Sequence, residues 1–131
     1  MATNTGTTSG AVAIGASGAV PIVQFVVGST TPTITDQLNG QIERTNAAGA
    51  LVVPFGAVTT ALLVHLRFFD VSTDLARNCG LSVNFGAGLV VFAATQEFLW
   101  SSAVNTSGIT AITITPEAGN DTRMEYVIAG V

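Results

Sequence analysis

Thr60-Ala-Leu-Leu-Val-His-Leu-Arg-Phe-Phe-Asp-Val71 alternates with a period of two. Leu62, Val64, Leu66 and Phe68 fall on one side of an extended chain, and Leu63, His65, Arg67 and Phe69 on the other, because successive side chains of a strand point to opposite faces. The first side reads as core. The second is mixed, with Leu63 and Phe69 flanking a histidine and an arginine, and such a face is expected to be half covered by a neighbouring strand or by another subunit. These four residues, together with Phe98 and Trp100, are the candidate interface.

Working outward, short runs rich in Val, Ile, Phe and Thr are separated by Gly, Asn, Asp or Pro, and no long run keeps an apolar period of 3.6. The strands expected are Ile22–Val27, Thr33–Ile42, Ala50–Phe55, Thr60–Val71, Leu81–Phe85, Leu89–Thr95, Ile109–Thr115 and Arg123–Ala129. Their number and length predict an all-β fold, an antiparallel β-sandwich or jelly-roll-like single domain. Thr73–Cys79 and Thr95–Trp100 read as short helical turns, the first capped by Thr73 or Asp74. Toward the C-terminus, Ile112 and Ile114 alternate with threonines, Pro116 to Asp121 supplies turn residues, and Met124, Tyr126 and Ile128 alternate again, which predicts a hairpin. Residues 1–20, mostly Thr, Ser, Gly, Ala and Asn, predict a flexible N-terminal arm preceding a sandwich domain over 21–131.

Composition narrows the function. Of 131 residues, 48% are hydrophobic and 9% charged, against about 25% charged in average proteins, so the surface must be covered by Thr, Ser, Asn and Gly or by other protein. The four basic residues are all arginines, and eight acids leave a net charge of −4. A lysine-free, acidic chain lacks the clustered cations that neutralise phosphate, which argues against nucleic-acid binding. Ala11 to Gly28 is uncharged, but Gly15, Ser17, Gly18, Pro21 and Gln24 make it a poor membrane helix, and no membrane partner is expected. A single cysteine and no basic residue before Arg44 favour folding in the cytoplasm without a secretory leader.

Residues able to do chemistry are scattered. His65 is the sole histidine, and Asp70, the nearest acid in sequence, falls on the opposite strand face, so no metal site or catalytic base is expected there. Cys79, in Arg77-Asn-Cys-Gly80, reads as a buried inert thiol. Gly86-Ala-Gly88 precedes a strand-like run instead of a helix, which makes it a bend and not a dinucleotide loop. Asp70 with Asp74, or Glu117 with Asn120 and Asp121, offer oxygens to calcium, but turn and cap chemistry accounts for Asp74, Asn120 and Asp121 without an ion. No cofactor and no enzymatic activity are expected.

Val104-Asn-Thr-Ser-Gly-Ile-Thr-Ala-Ile-Thr-Ile-Thr-Pro116, a Gly-Asn turn, and the ending Tyr126-Val-Ile-Ala-Gly130 resemble the closing hairpin of small tailed-bacteriophage virion proteins. Those proteins pair an Ile-Thr-x-Ile-Thr-Ile strand with a final Tyr-x-x-x-Gly strand. The resemblance covers residues 104 to 130. It implies a structural or adhesive role in a virion, assembled in the host cytoplasm. The expected function is a capsid decoration (cement) protein, a homo-oligomer and most simply a trimer, bound to the major capsid protein or another virion protein. The alternative is a tail-fibre or adhesin-like module holding host surface glycan through the aromatics Phe98, Trp100 and Tyr126 and the acidic loops.

Overall fold

The alternation in residues 60–71 resolves into a ten-residue strand whose even-numbered side chains are buried. The computed structural model describes residues 4–5, 8–14, 23–30, 33–102 and 108–131. In chain order the strands are β1 (Asn4–Thr5), β2 (Thr8–Ile14), β3 (Val23–Thr30), β4 (Thr33–Ile34), β5 (Asp36–Arg44), β6 (Leu51–Val52), β7 (Ala61–Asp70), β8 (Cys79–Asn84), β9 (Leu89–Thr95), β10 (Glu97–Ser101), β11 (Ala111–Pro116) and β12 (Thr122–Gly130). A 3₁₀ turn, Asn46–Ala48, lies between β5 and β6.

Strands β5 to β12 form two four-stranded antiparallel sheets, ordered β10-β7-β12-β5 and β6-β11-β8-β9. Numbered one to eight along the chain, the first sheet runs 6-3-8-1 and the second 2-7-4-5. That is the strand order of a jelly roll, two sheets produced by folding a long antiparallel ribbon over itself. The expected all-β sandwich is therefore the architecture found, in its jelly-roll form. Two smaller pairings, β1 with β4 and β2 with β3, accompany it. Of the arm expected over residues 1–20, Asn4–Thr5 and Thr8–Ile14 are thus strands, and its remaining residues lie outside those described.

Both inner faces are apolar. Leu62, Val64, Leu66 and Phe68 of β7, with Met124 and Ile128 of β12, are buried on one sheet, facing Cys79, Leu81 and Val83 of β8 and Ile112 and Ile114 of β11 on the other. The side nearest β9 and β10 closes with ring contacts, Phe85 on Trp100 at 5.4 Å and Phe92 on Phe98 at 5.6 Å between centroids. At the opposite side, the Tyr126 ring lies over Gly40 on the adjacent strand, where a Cβ would come 3.1 Å from the phenol oxygen. Gly130 abuts β7 so closely that a Cβ there would strike the Thr60 carbonyl.

Three sequence expectations need correcting. β11 and β12 are not hairpin partners: β11 pairs with β6 and β8, β12 with β5 and β7, and the turn between them carries the chain from one sheet to the other. Alternation does not distinguish the two cases, since strands side by side and strands face to face both bury every second residue. Asp121 in this turn accepts a hydrogen bond from the Asn46 N–H (2.9 Å), and Asn46 Nδ2 donates to the Glu117 carbonyl (3.2 Å), tying it to the neighbouring β5–β6 crossover. The resemblance over residues 104–130 consequently rests on strand sequences and not on their pairing.

Thr95–Trp100 is not a helical turn either. Glu97–Ser101 is edge strand β10, paired with β7, and it takes the place in the sandwich expected for Ile22–Val27. Its Phe98 and Trp100 follow a period of two toward the core, which outweighs a short helical reading. Thr73–Cys79 is a turn leading into β8. The Asp70 carboxylate takes the Ser72 and Thr73 N–H groups, and Asp74 adopts φ 61°, so the chain reverses instead of coiling, with Ala76 bridged to Phe69. Gly86-Ala-Gly88 is the expected bend, the β8–β9 turn, with Gly86 at φ 81° where a Cβ would be strained.

Ile112→Ala and Ile114→Ala should each lower stability by about 2–5 kcal/mol, the cost of deleting a buried isoleucine side chain and leaving a cavity. Urea unfolding checks this, and Thr113→Ala, on the outer face of the same strand, should stay within about 0.5 kcal/mol of the parent.

Candidate functional site

The two outer sheet faces differ in chemistry. On the sheet β10-β7-β12-β5, register places Glu97, Arg67, Glu125 and Gln41 in one row across the strands and Leu99, His65, Val127 and Asn39 in the next. Phe69, Arg123 and Glu43 form a third row. His65 Nε2 meets Glu97 Oε1 at 2.6 Å, and Arg67 and Arg123 reach the two oxygens of Glu125 at 3.9 and 3.7 Å. Both guanidinium carbons also stand 5.0 Å from the Phe69 ring centroid, a cation–π arrangement. A shallow groove of about 430 Å³ runs over this face, lined by His65, Arg67, Glu125 and Asn39 among others.

Leu63, His65, Arg67 and Phe69 of the expected interface are therefore brought together on this face. Phe98 and Trp100 do not join them. They turn inward, into the ring contacts with Phe92 and Phe85. Arg67 stands near Glu125, and Arg123 near Glu125 and Asp74, so the face presents a nearly neutralised ladder and not a basic patch.

The other sheet carries no ionisable side chain on its outer face. Leu51–Val52, Cys79–Asn84, Leu89–Thr95 and Ala111–Pro116 contain no Asp, Glu, Lys, Arg or His. Register puts Val52, Thr113, Ser82 and Val91 in one row, and Ala111, Asn84 and Leu89 in another. Val52, Leu89 and Val91 are 67%, 64% and 65% exposed. Sequence reasoning missed this face, although its signal is present: between Arg77 and Glu117 the chain carries one charge, Glu97. Reading alternation strand by strand hides what only adjacent strands display together.

A third cluster lies at the end of the sandwich where β7 leaves and β12 enters. Asp70 Oδ1 accepts from the Ser72 hydroxyl (2.5 Å), the Ser72 N–H (2.8 Å) and the Thr73 N–H (3.0 Å), while Oδ2 accepts from Arg77 Nη1 (2.8 Å). Arg77 Nη2 continues to Glu117 Oε2 at 3.0 Å, and Arg123 pairs with Asp74. The calcium oxygens weighed from sequence are thus taken up by protein donors at Asp70 and by arginines at Asp74 and Glu117. Among the described residues no group of three or more His, Cys, Asp or Glu is arranged to hold a metal.

Cys79 is buried, its thiol within 3.3 Å of the Thr115 carbonyl, and burial pushes its pKa up to about 11, away from the thiolate a nucleophile requires. It faces the core from β8, whereas His65 faces outward from β7, so thiol and imidazole form no dyad. Comparison of the chain with protein-family models, curated proteins and solved structures finds no match.

The hydrogen bond from the Ser72 hydroxyl, followed by the Thr73 N–H, holds the Asp70 carboxyl at about 2, below its ordinary 3.8. A carboxyl with a depressed folded-state pKa stabilises the fold above its unfolded value and loses that contribution as pH falls through the folded one. Stability should accordingly decline between about pH 3.8 and about pH 2 through this residue. Asp70→Asn should lower the urea midpoint at neutral pH and flatten that acid limb. Equal acid limbs in variant and parent would remove Asp70 as their origin.

Proposed function

We propose that this chain is a non-enzymatic structural protein of a bacteriophage virion, a capsid decoration protein that lays its uncharged sheet against the shell. The observation that carries the reading is the contrast between the two faces. Charged side chains of the sandwich strands lie on β5, β7, β10 and β12, while β6, β8, β9 and β11 present Val52, Leu89, Val91, Ser82 and Thr113. A face without charge loses no solvated ion when covered, so the apolar area removed from water is opposed only by polar groups such as Ser82, Thr113 and Asn84, which need hydrogen-bond partners in the contact. The jelly roll adds support, since viral capsid domains share it with lectins, and so does the resemblance of residues 104–130 to phage virion proteins.

The glycan-binding alternative has less to rest on. Sugar stacking needs outward aromatic faces, but the rings of Phe98 and Trp100 are engaged with Phe92 and Phe85, and Tyr126 lies over Gly40. Mass spectrometry of purified particles with copy-number counting tests the choice. Hundreds of copies support a shell component, a handful supports a tail part, and absence from the particle overturns the reading.

Attachment should be insensitive to salt. Raising ionic strength from about 0.05 to 0.5 M shortens the Debye length from roughly 14 to 4 Å, and particle occupancy should stay level or rise slightly. Arg67→Ala should leave occupancy unchanged as well, because that guanidinium is already spent on Glu125 and Phe69 within its own sheet. Loss of occupancy in either measurement would mean a charge-directed contact.

A further inference from the structure

Among the described residues the two sheets end on four strands, β5 and β10 in one, β6 and β9 in the other. An unpaired edge is a template for another strand, and proteins ordinarily blunt it with charge, proline, shortness or a bulge. Three of the four edges are protected in this way. β5 carries Asp36, Glu43 and Arg44, β10 is five residues long and carries Glu97, and β6 has two residues. β9 is the exception: Leu-Val-Val-Phe-Ala-Ala-Thr over residues 89–95 has no charge and no proline. Its one irregularity falls near its end, between the Cys79–Thr95 and Leu81–Phe92 pairings, which leaves Leu89 to Phe92 in unbroken register with β8. Leu89, Val90 and Val91 are exposed, at 64%, 43% and 65%.

We propose that the outer edge of β9 pairs antiparallel with β9 of a second copy of this chain, joining two four-stranded sheets into one eight-stranded sheet across a two-fold axis. A second copy fits best because a chain of net charge −4 repels itself unless the contact is placed away from its ions. The strands β6, β11, β8 and β9 bring none to the contact. A strand of uncharged, largely apolar residues is also self-complementary when reversed, as an isologous contact requires. The same contact lies beside the rim where Phe92 and Phe98, partly buried in one copy, close the sandwich. Such pairing is complete at two copies, so it replaces the trimer expected from sequence, and it doubles the uncharged face. It holds whether or not the chain is mounted on a particle.

Sedimentation velocity on the intact chain at micromolar concentration should show a dimer. Val91→Lys, which sets like charges near the two-fold axis, should give a folded monomer whose melting temperature, unlike the parent's, does not depend on concentration, whereas Val52→Lys, on β6 at the far side of the same face, should remain dimeric. A parental monomer or trimer overturns the proposal. So does dissociation by Val52→Lys with Val91→Lys still dimeric, which would mean face-to-face stacking. Hydrogen exchange on the unmodified chain keeps the question decidable if Val91→Lys does not fold. The alternate amides of residues 89–92 that point away from β8 should become at least about ten-fold more protected as concentration rises through the dissociation constant, because pairing gives them hydrogen-bond partners and closes them off from solvent. Protection of these amides that does not change with concentration also overturns it.

Discussion

The structure depends on the contact between two apolar inner faces, β7 and β12 on one side and β8 and β11 on the other. Each buried Leu, Ile, Phe or Met there contributes roughly 1.5–3 kcal/mol relative to exposure, and Leu62, Val64, Leu66, Phe68, Met124 and Ile128 meet Leu81, Val83, Ile112 and Ile114 with almost no surface left to water. Because every second residue of these strands is committed inward, the intervening positions are free to differ between the sheets. The turns are subordinate to the same contact. Asp121 with Asn46, and Asp70 with Ser72 and Arg77, hold crossovers whose paths are set by the need to bring β11 opposite β12 and β7 opposite β8.

That freedom has been used unequally. His65 meets Glu97, and Arg67 and Arg123 stand near Glu125, on one sheet, so the charges of its polar face are largely balanced within the chain, and a partner there would compete with these contacts. The opposite face has no such pairs to break. A contact made by exclusion of water would benefit from this division, because the ionised side chains of the sandwich strands lie on the other sheet. The lysine-free composition, puzzling as a bulk property, becomes intelligible as a surface arrangement.

How much of this was legible in the sequence follows from the range of each signal. The faces of β7 were legible residue by residue, since Leu62 to Phe69 alternate without interruption and alternation is a property of one strand. β9 was likewise read at its true limits, bounded by Gly88 and Gln96. The pairing of β11 with β8 instead of β12 was not legible, because Ile112 and Ile114 alternate identically in a hairpin and in an arch between sheets. β10 was hidden for a different reason: five residues beginning at Glu97 and preceded by Gln96 resemble a helical first turn until β7 supplies a partner. Of the expected interface, Leu63, His65, Arg67 and Phe69 share a face because they share a strand, while the inward turn of Phe98 and Trp100 depends on which neighbours cover them. The uncharged face combines four strands separated in sequence by as many as sixty residues, from Val52 to Thr113, and no local window contains it.

The jelly-roll order also fixes how the chain must reach its native state. Of the three hydrogen-bonded pairs in each sandwich sheet, β8 with β9 is the sole pair of strands consecutive in the chain; every other neighbour is recruited across intervening segments. Long-range pairing of this kind makes folding slow, since loop entropy is lost before contacts compensate for it. The β8–β9 ribbon, nucleated by the tight turn at Gly86, is then the element able to form first, and it forms with its apolar edge already open. During synthesis that edge is open while other nascent copies are nearby, and the later pairing of β11 with the far side of β8 leaves it open, so the same seven residues that offer an edge in the finished chain are a place where unfinished chains can misassociate.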